Sequence, residues 1–228
     1  MARRLQQYRD KLPLLAILVL SSGLSIAMLG ARIWYSGHIT YSFLQWNLFL
    51  AWIPLFSALG LWALQQRQRR GTGVVGVLLF LCWLAFFPNA PYIVTDFLHL
   101  TERNQVPLWY DLLLICSFAW NGLVVGFTSL WIVQTVIAGR WGQGLSWLIV
   151  AGTLAVSGYG IYLGRFLRWN SWDLLTNPHL LANEIFQHVT NPFAHPRTLV
   201  MTLLFSSFLT LAYLTLNLLG RVRWQQSS

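Results

Sequence analysis

The chain has 228 residues, of which 56% are hydrophobic and 9% charged, with 13 Trp, 14 Phe and a formal net charge of +9. A water-soluble domain carries about a quarter charged residues, so this composition excludes an ordinary soluble enzyme or binding module and points to a surface that faces lipid. The basic residues flank apolar runs instead of forming a groove or stripe, which argues against nucleic-acid binding and for contact with anionic headgroups.

Crossing a hydrocarbon core of about 30 Å takes roughly 20 apolar residues per helix. Six stretches fit, at 12–31, 44–64, 74–90, 110–138, 145–164 and 199–219. They predict an all-α fold, a polytopic transmembrane helical bundle forming a single integral membrane domain over residues 1–228. The first stretch follows Arg3, Arg4, Arg9 and Lys11 and lacks a small-x-small cleavage site, so it reads as a retained anchor. The third is short for a span, and the fourth is long enough to tilt or to start in the interface. Cys82 and Cys116 fall inside spans without a CxxC pair and read as buried structural thiols.

Lys and Arg counts orient the bundle. With the N-terminus inside, the inner segments hold Arg3, Arg4, Arg9, Lys11, Arg67, Arg69, Arg70, Arg140, Arg221 and Arg223. The outer segments hold Arg32, Arg103, Arg165, Arg168 and Arg197. This favours N-in/C-in and a bacterial cytoplasmic (inner) membrane location with both termini cytoplasmic. All five His and five of the six carboxylates then fall in or beside the outer loops 32–43, 94–109 and 165–198. Polar groups at a bilayer are costly and mark candidate sites.

Toward the second outer loop, Pro88 and Pro91 each remove a backbone donor, so the third span should break near Asn89, whose amide can satisfy a freed carbonyl. Beyond Pro91, a helical turn would align Tyr92, Asp96, His99 and Arg103 on one stripe, with Ile93, Phe97 and Leu100 opposite. Asp96 and His99 then read either as an acid–base or metal-binding pair or as an ordinary interfacial hydrogen bond.

In the fourth span, Asn121 reads as a hydrogen bond to a neighbouring helix or as the lining of a path. Gly122 and Gly126, like Gly160 and Gly164 in the fifth, present small-residue faces suited to packing the fourth span on the fifth, in preference to dimerisation. If the fifth helix continues outward, Arg165, Arg168, Trp169 and Trp172 share a face. They form either an anion clamp, with Asn170 beside it and Asp173 as an internal partner, or an aromatic belt with snorkelling arginines. Asn177-Pro178 reads as an N-cap and first helical position, opening a short amphipathic helix to about His188 with Glu184 and His188 paired at i, i+4. Leu180, Leu181, Ile185 and Phe186 would rest on lipid or on the bundle. His179, His188 and His195 are too irregularly spaced for a metal signature. There is no phosphate-binding Gly-rich loop and no Gly-x-Ser-x-Gly elbow.

Two runs carry a resemblance: Phe-Pro-Asn-Ala-Pro-Tyr-Ile-Val-Thr-Asp-Phe-Leu-His-Leu at 87–100 and Gly-Ile-Tyr-Leu-Gly-Arg-Phe-Leu-Arg-Trp-Asn-Ser-Trp-Asp at 160–173. With them the chain resembles the bacterial integral membrane family catalogued as domain of unknown function 1361, over about residues 40–219. The resemblance implies a multi-pass membrane protein and assigns no activity.

The residues support three functions. The first is a binding or assembly protein whose outward site (Asn89, Tyr92, Arg165, Arg168, Trp169, Asn170, Trp172 and Asp173) engages a lipid headgroup, envelope glycan or partner protein. The second is a membrane enzyme on an envelope or lipid substrate, with Asp96 and His99 as catalytic candidates and Asp96, His99 and His195 as weak metal candidates. The third is a small-solute transporter. The expected partners are the bilayer and an anionic headgroup or envelope polymer. No cofactor is assigned, and the oligomeric state stays open.

Overall fold

A computed structural model describes residues 12–67, 73–102 and 106–220. Arg103 and the basic residues of both tails and of positions 69–70 lie outside them. The described residues form helices and no strand. The chain divides into two compact units, Met1–Ser129 and Leu130–Ser228.

In order, the first unit holds α1 (Leu12–Ser36), α2 (Phe43–Arg67), α3 (Gly73–Phe86), the one-turn α4 (Asn89–Tyr92), a 3-10 helix at Ile93–His99, and the first part of α5 (Leu108–Trp141). The second holds the rest of α5, α6 (Gln143–Phe166), the one-turn α7 (Asp173–Thr176), α8 (Pro178–Thr190), a 3-10 turn at Pro192–Ala194, and α9 (Pro196–Leu219). Among the described residues, six segments are long and apolar enough to cross a membrane: α1, α2, Gly73–His99, α5, α6 and α9. Their surfaces bear Leu20, Leu78, Leu148 and Leu211, all more than half exposed. Water would penalise such faces at roughly 25 cal/mol per Å²; lipid does not.

Several local expectations are realised. Past α3, Ala90 N–H bonds the Phe87 carbonyl and Tyr92 N–H the Pro88 carbonyl. The Asn89 amide donates to the Phe86 carbonyl at 3.0 Å. Mid-span, Asn121 donates to Ser25 Oγ (2.8 Å), to the Ser21 carbonyl and to the Ser117 carbonyl, and accepts from Ser21 Oγ. It is a bond between α1 and α5, not the wall of a path.

Other expectations are corrected. Gly122 and Gly126 pack against the third span: a methyl added at Gly122 would meet the Ala90 carbonyl oxygen at 2.5 Å, and one at Gly126 the Ala90 methyl at 2.8 Å. The proline-bent turn of α4 needs a partner helix without side chains there. In the second unit, Gly158 lies as tightly against Thr202 and Ser206 of α9. Tyr213 of α9 donates to Gln134 of α5 at 2.5 Å. Cys116 is exposed on α5, and only Cys82 is half-buried, against the Ser57 hydroxyl.

The largest departure concerns Arg32, expected in a loop. α1 runs on to Ser36, and Arg32 is 1% exposed. Its Nε meets Asp111 Oδ1 at 2.6 Å and its Nη2 meets Oδ2 at 3.0 Å, a bidentate pair sealed from solvent. Only such geometry offsets the several kcal/mol of desolvation per buried ion.

Candidate functional site

In the first unit, Tyr41 sits in the α1–α2 turn with φ +69° and 2% exposure. The Arg32 guanidinium lies 4.7 Å from its ring centroid, and its hydroxyl donates to the His99 carbonyl at 3.1 Å. Asp96 is 1% exposed and accepts from Asn47 Nδ2 at 2.8 Å. His99 is exposed, with its imidazole edge-on to Phe43 at 5.1 Å. Three residues per turn align Ile93 with Asp96, so the expected α-helical division into an Asp96 stripe and an opposite Ile93 stripe does not form. Asn89 and Tyr92 are half-buried at the bend.

In the second unit, α6 ends at Phe166 instead of continuing outward, so Arg165, Arg168, Trp169 and Trp172 do not share a helical face. Arg165 is in the last turn, where a cation complements the helix dipole. Arg168 has φ +61°, and this left-handed residue turns the chain so that Trp169 N–H reaches the Leu163 carbonyl at 3.1 Å. Arg168 and Asn170 are exposed, Trp169 is half-buried, and Trp172 is 40% exposed. Arg197, at the start of α9, lies over the Phe166 ring at 4.5 Å and adds a third guanidinium to this corner.

Asp173 is occupied by neutral donors. Oδ2 accepts the Asn170 N–H at 2.7 Å, and Oδ1 accepts Thr176 Oγ1 and Asn177 Nδ2. The Asn170 N–H, followed by the Asn177 amide, lowers its pKa. Asn177 is the N-cap of α8 with Pro178 in its first turn, as the sequence suggested, but its amide serves Asp173.

The sequence marked His188 only as the i, i+4 partner of Glu184. It is 8% exposed, its Nδ1 lies 2.9 Å from the Tyr159 hydroxyl, and its Nε2 lies 3.6 Å from Glu184 Oε1. Its ring also meets Tyr162 and, at 4.6 Å, His195. With the proton on Nε2, the imidazole accepts from the phenol and faces the carboxylate. Burial lowers the His188 pKa, the neighbouring His195 lowers it further, and Glu184 opposes both. The i, i+4 spacing of Glu184 and His188 was visible in the sequence; Tyr159 lies 29 positions away and was not. Among the described residues, no group of three or more His, Cys, Asp or Glu side chains is placed to hold a metal ion.

Six apolar membrane-length helices, bearing polar clusters where helices meet loops, define a multi-pass α-helical membrane protein. A family model described as "Protein of unknown function (DUF1361)" matches residues 46–212, and the chain belongs to that family. Neither the curated proteins nor the solved structures give a match.

Proposed function

We propose that the Arg165–Asp173 corner, joined by Arg197, binds an anionic group at the outer surface of the bacterial cytoplasmic membrane, with both termini cytoplasmic. The ligand chemistry is phosphate or carboxylate, as in a lipid headgroup or an envelope polymer. Arg168 carries the reading. A non-glycine residue in the left-handed region costs roughly 1–2 kcal/mol, and such strain is retained mainly where it serves function. Here it belongs to an exposed arginine, while the nearest carboxylate in sequence, Asp173, is engaged by neutral donors. Asn89, Tyr92, Asp96 and His99 belong to the first unit and are not assigned to this ligand.

Native mass spectrometry of the detergent-purified protein, titrated with phosphatidylglycerol or phosphatidylcholine, tests the proposal. Retention of phosphatidylglycerol should exceed that of phosphatidylcholine and fall in Arg168→Gln. Equal retention of the two lipids by both proteins overturns it.

The Tyr159–His188–Glu184 order supports a second reading as a membrane enzyme, because an imidazole in that position can take the proton of the hydroxyl while the carboxylate stabilises the imidazolium that forms. Turnover of phosphatidylglycerol in reconstituted vesicles, lost in His188→Gln, is its expected signature; no turnover in either protein refutes it for that lipid.

A further inference from the structure

We infer that α8 and the turn after it form a lipid-docking element that lies in the bilayer interface and seats acyl chains beside the arginine corner. The inference deepens the anion-binding reading and rests on it for the headgroup: it commits the ligand to an anionic phospholipid, tail as well as head.

The segment between α6 and α9 is tethered at both ends to membrane-length helices, so it lies at a membrane surface whatever its own composition. Helical spacing divides α8 into three stripes. Leu181, Glu184 and His188 face the protein, with Leu181 and His188 buried. Ala182, Phe186 and Val189 form a second stripe at i, i+4 and i+7, where Phe186 is 66% and Val189 71% exposed. His179, Asn183, Gln187 and Thr190 form a third, wholly exposed and polar, with exposed Leu180 beside it.

A helix standing in water has no reason to keep separate exposed apolar and polar stripes. One lying in the headgroup plane has, because one side meets acyl chains and the other meets water. Phe193, 87% exposed in the following turn, adds a bulky apolar group just before α9. The charge is complementary to an anionic leaflet: Arg168 and Arg197 flank the element, and neither exposed stripe carries a carboxylate. Glu184 is turned toward His188.

Photolabelling tests this in the full chain, reconstituted in vesicles of phosphatidylcholine alone or of equal parts phosphatidylcholine and phosphatidylglycerol. A trace of phosphatidylcholine carrying a diazirine on its acyl chain is the label, and adducts are located by peptide mass spectrometry. Adducts should fall on Phe186, Val189 and Phe193, not on Asn183, Gln187 or Thr190. Phe186→Asp should lose those on α8 while labelling of α1 and α9, the internal control, persists. Labelling of the spans with none on the apolar stripe, or equal labelling of both stripes, overturns the inference. If the apolar stripe is labelled equally in both vesicle types and in Arg168→Gln, the docking element survives as a lipid contact, while the anion-binding reading and the commitment to an anionic lipid fall.

Discussion

Tyr41 and Arg168 share a strained left-handed backbone, and what surrounds each is opposite. Tyr41 is sealed: its ring lies under Arg32, its hydroxyl binds the His99 carbonyl, and it belongs to the apolar cluster of Leu29, Leu44, Ile93 and Leu114. Its strain is offset locally by packing. Arg168 has φ +61° and an exposed side chain, so its strain is offset not by burial but by the Trp169 N–H bond to the Leu163 carbonyl that closes α6. The same contrast separates the buried Arg32–Asp111 pair from the half-open Tyr159–His188–Glu184 group. Polar residues in a membrane protein are therefore not uniformly functional markers. Arg32 and Asp111 meet each other through two bonds inside the fold, although Arg32 Nη1 is left buried without a hydrogen-bond partner, whereas groups at the rim are open to a ligand.

The sharpest way to break this comparison is to unpair the sealed cluster. Asp111→Ala leaves Arg32 charged and buried, and losing one partner of a buried pair costs about 3–5 kcal/mol. Thermal unfolding in detergent should show a loss larger than overpacking a helix contact or neutralising a rim residue would cause. The double variant Arg32→Met, Asp111→Leu should recover most of that loss, because an apolar pair of similar size removes both desolvation penalties. Failure of the double variant to recover would mean that Arg32 has a role beyond pairing, and the division between sealed and open clusters would weaken.

Next in size is Gly122→Ala. The added methyl would stand 2.5 Å from the Ala90 carbonyl and 2.9 Å from Ile93 Cδ1. Overpacking of this kind costs about 1–3 kcal/mol. Gly152→Ala, with open space around the built methyl, is the control and should be neutral or stabilising. Equal effects at the two positions would show that the bend of the third span is not held by its contact with α5.

What the sequence made legible follows the range of the interactions. The break at Pro88–Pro91, the Asn89 amide on the carbonyl three residues back, the helix opening at Pro178 and the Glu184–His188 pairing all act within one turn, so local rules find them. Asn121 was legible because hydrocarbon leaves an amide little choice but another helix. Arg32–Asp111 spans 79 positions, and an arginine close to a span's end looks like an interfacial residue until its carboxylate is located. The pattern around Arg165 misled for a different reason: an unbroken i, i+3, i+4 spacing assumes a continuing helix, and no glycine or proline marks the left-handed stop at Arg168.

A smaller effect, with an informative sign, is expected from Arg168→Gly. Glycine enters the left-handed region without the steric penalty, partly offset by its extra freedom when unfolded, so the variant should gain about 1 kcal/mol or less in stability. It should also lose retention of phosphatidylglycerol in native mass spectra. A gain in stability with a loss in binding is the signature of strain kept for a ligand. A loss in both would place Arg168 with Tyr41, as a residue whose conformation serves the fold.

The subtlest expected effect is the pH response of the half-open group. Burial, then the neighbouring His195, hold the His188 pKa below its ordinary 6.5, so the folded state favours the neutral ring, which alone can accept from the Tyr159 hydroxyl. A depressed folded pKa means that the unfolded chain binds the proton more readily. The contribution is therefore complete above about 6.5 and is lost as pH falls from there through the lowered folded value. The groups facing the ring set its size: Tyr159 and Tyr162 from α6 and His195 before α9 disfavour or ignore the charge, while Glu184 on the same helix opposes the trend. Thermal unfolding across this acid range should show stability falling, and His188→Gln should flatten that slope while keeping a side chain able to bond the phenol. If Glu184 instead outweighed burial and His195, the folded pKa would be raised and acid would stabilise the fold. Stability that rises on acidification, lost in the same variant, would show that the rim group behaves as a paired ion like the sealed Arg32–Asp111 cluster.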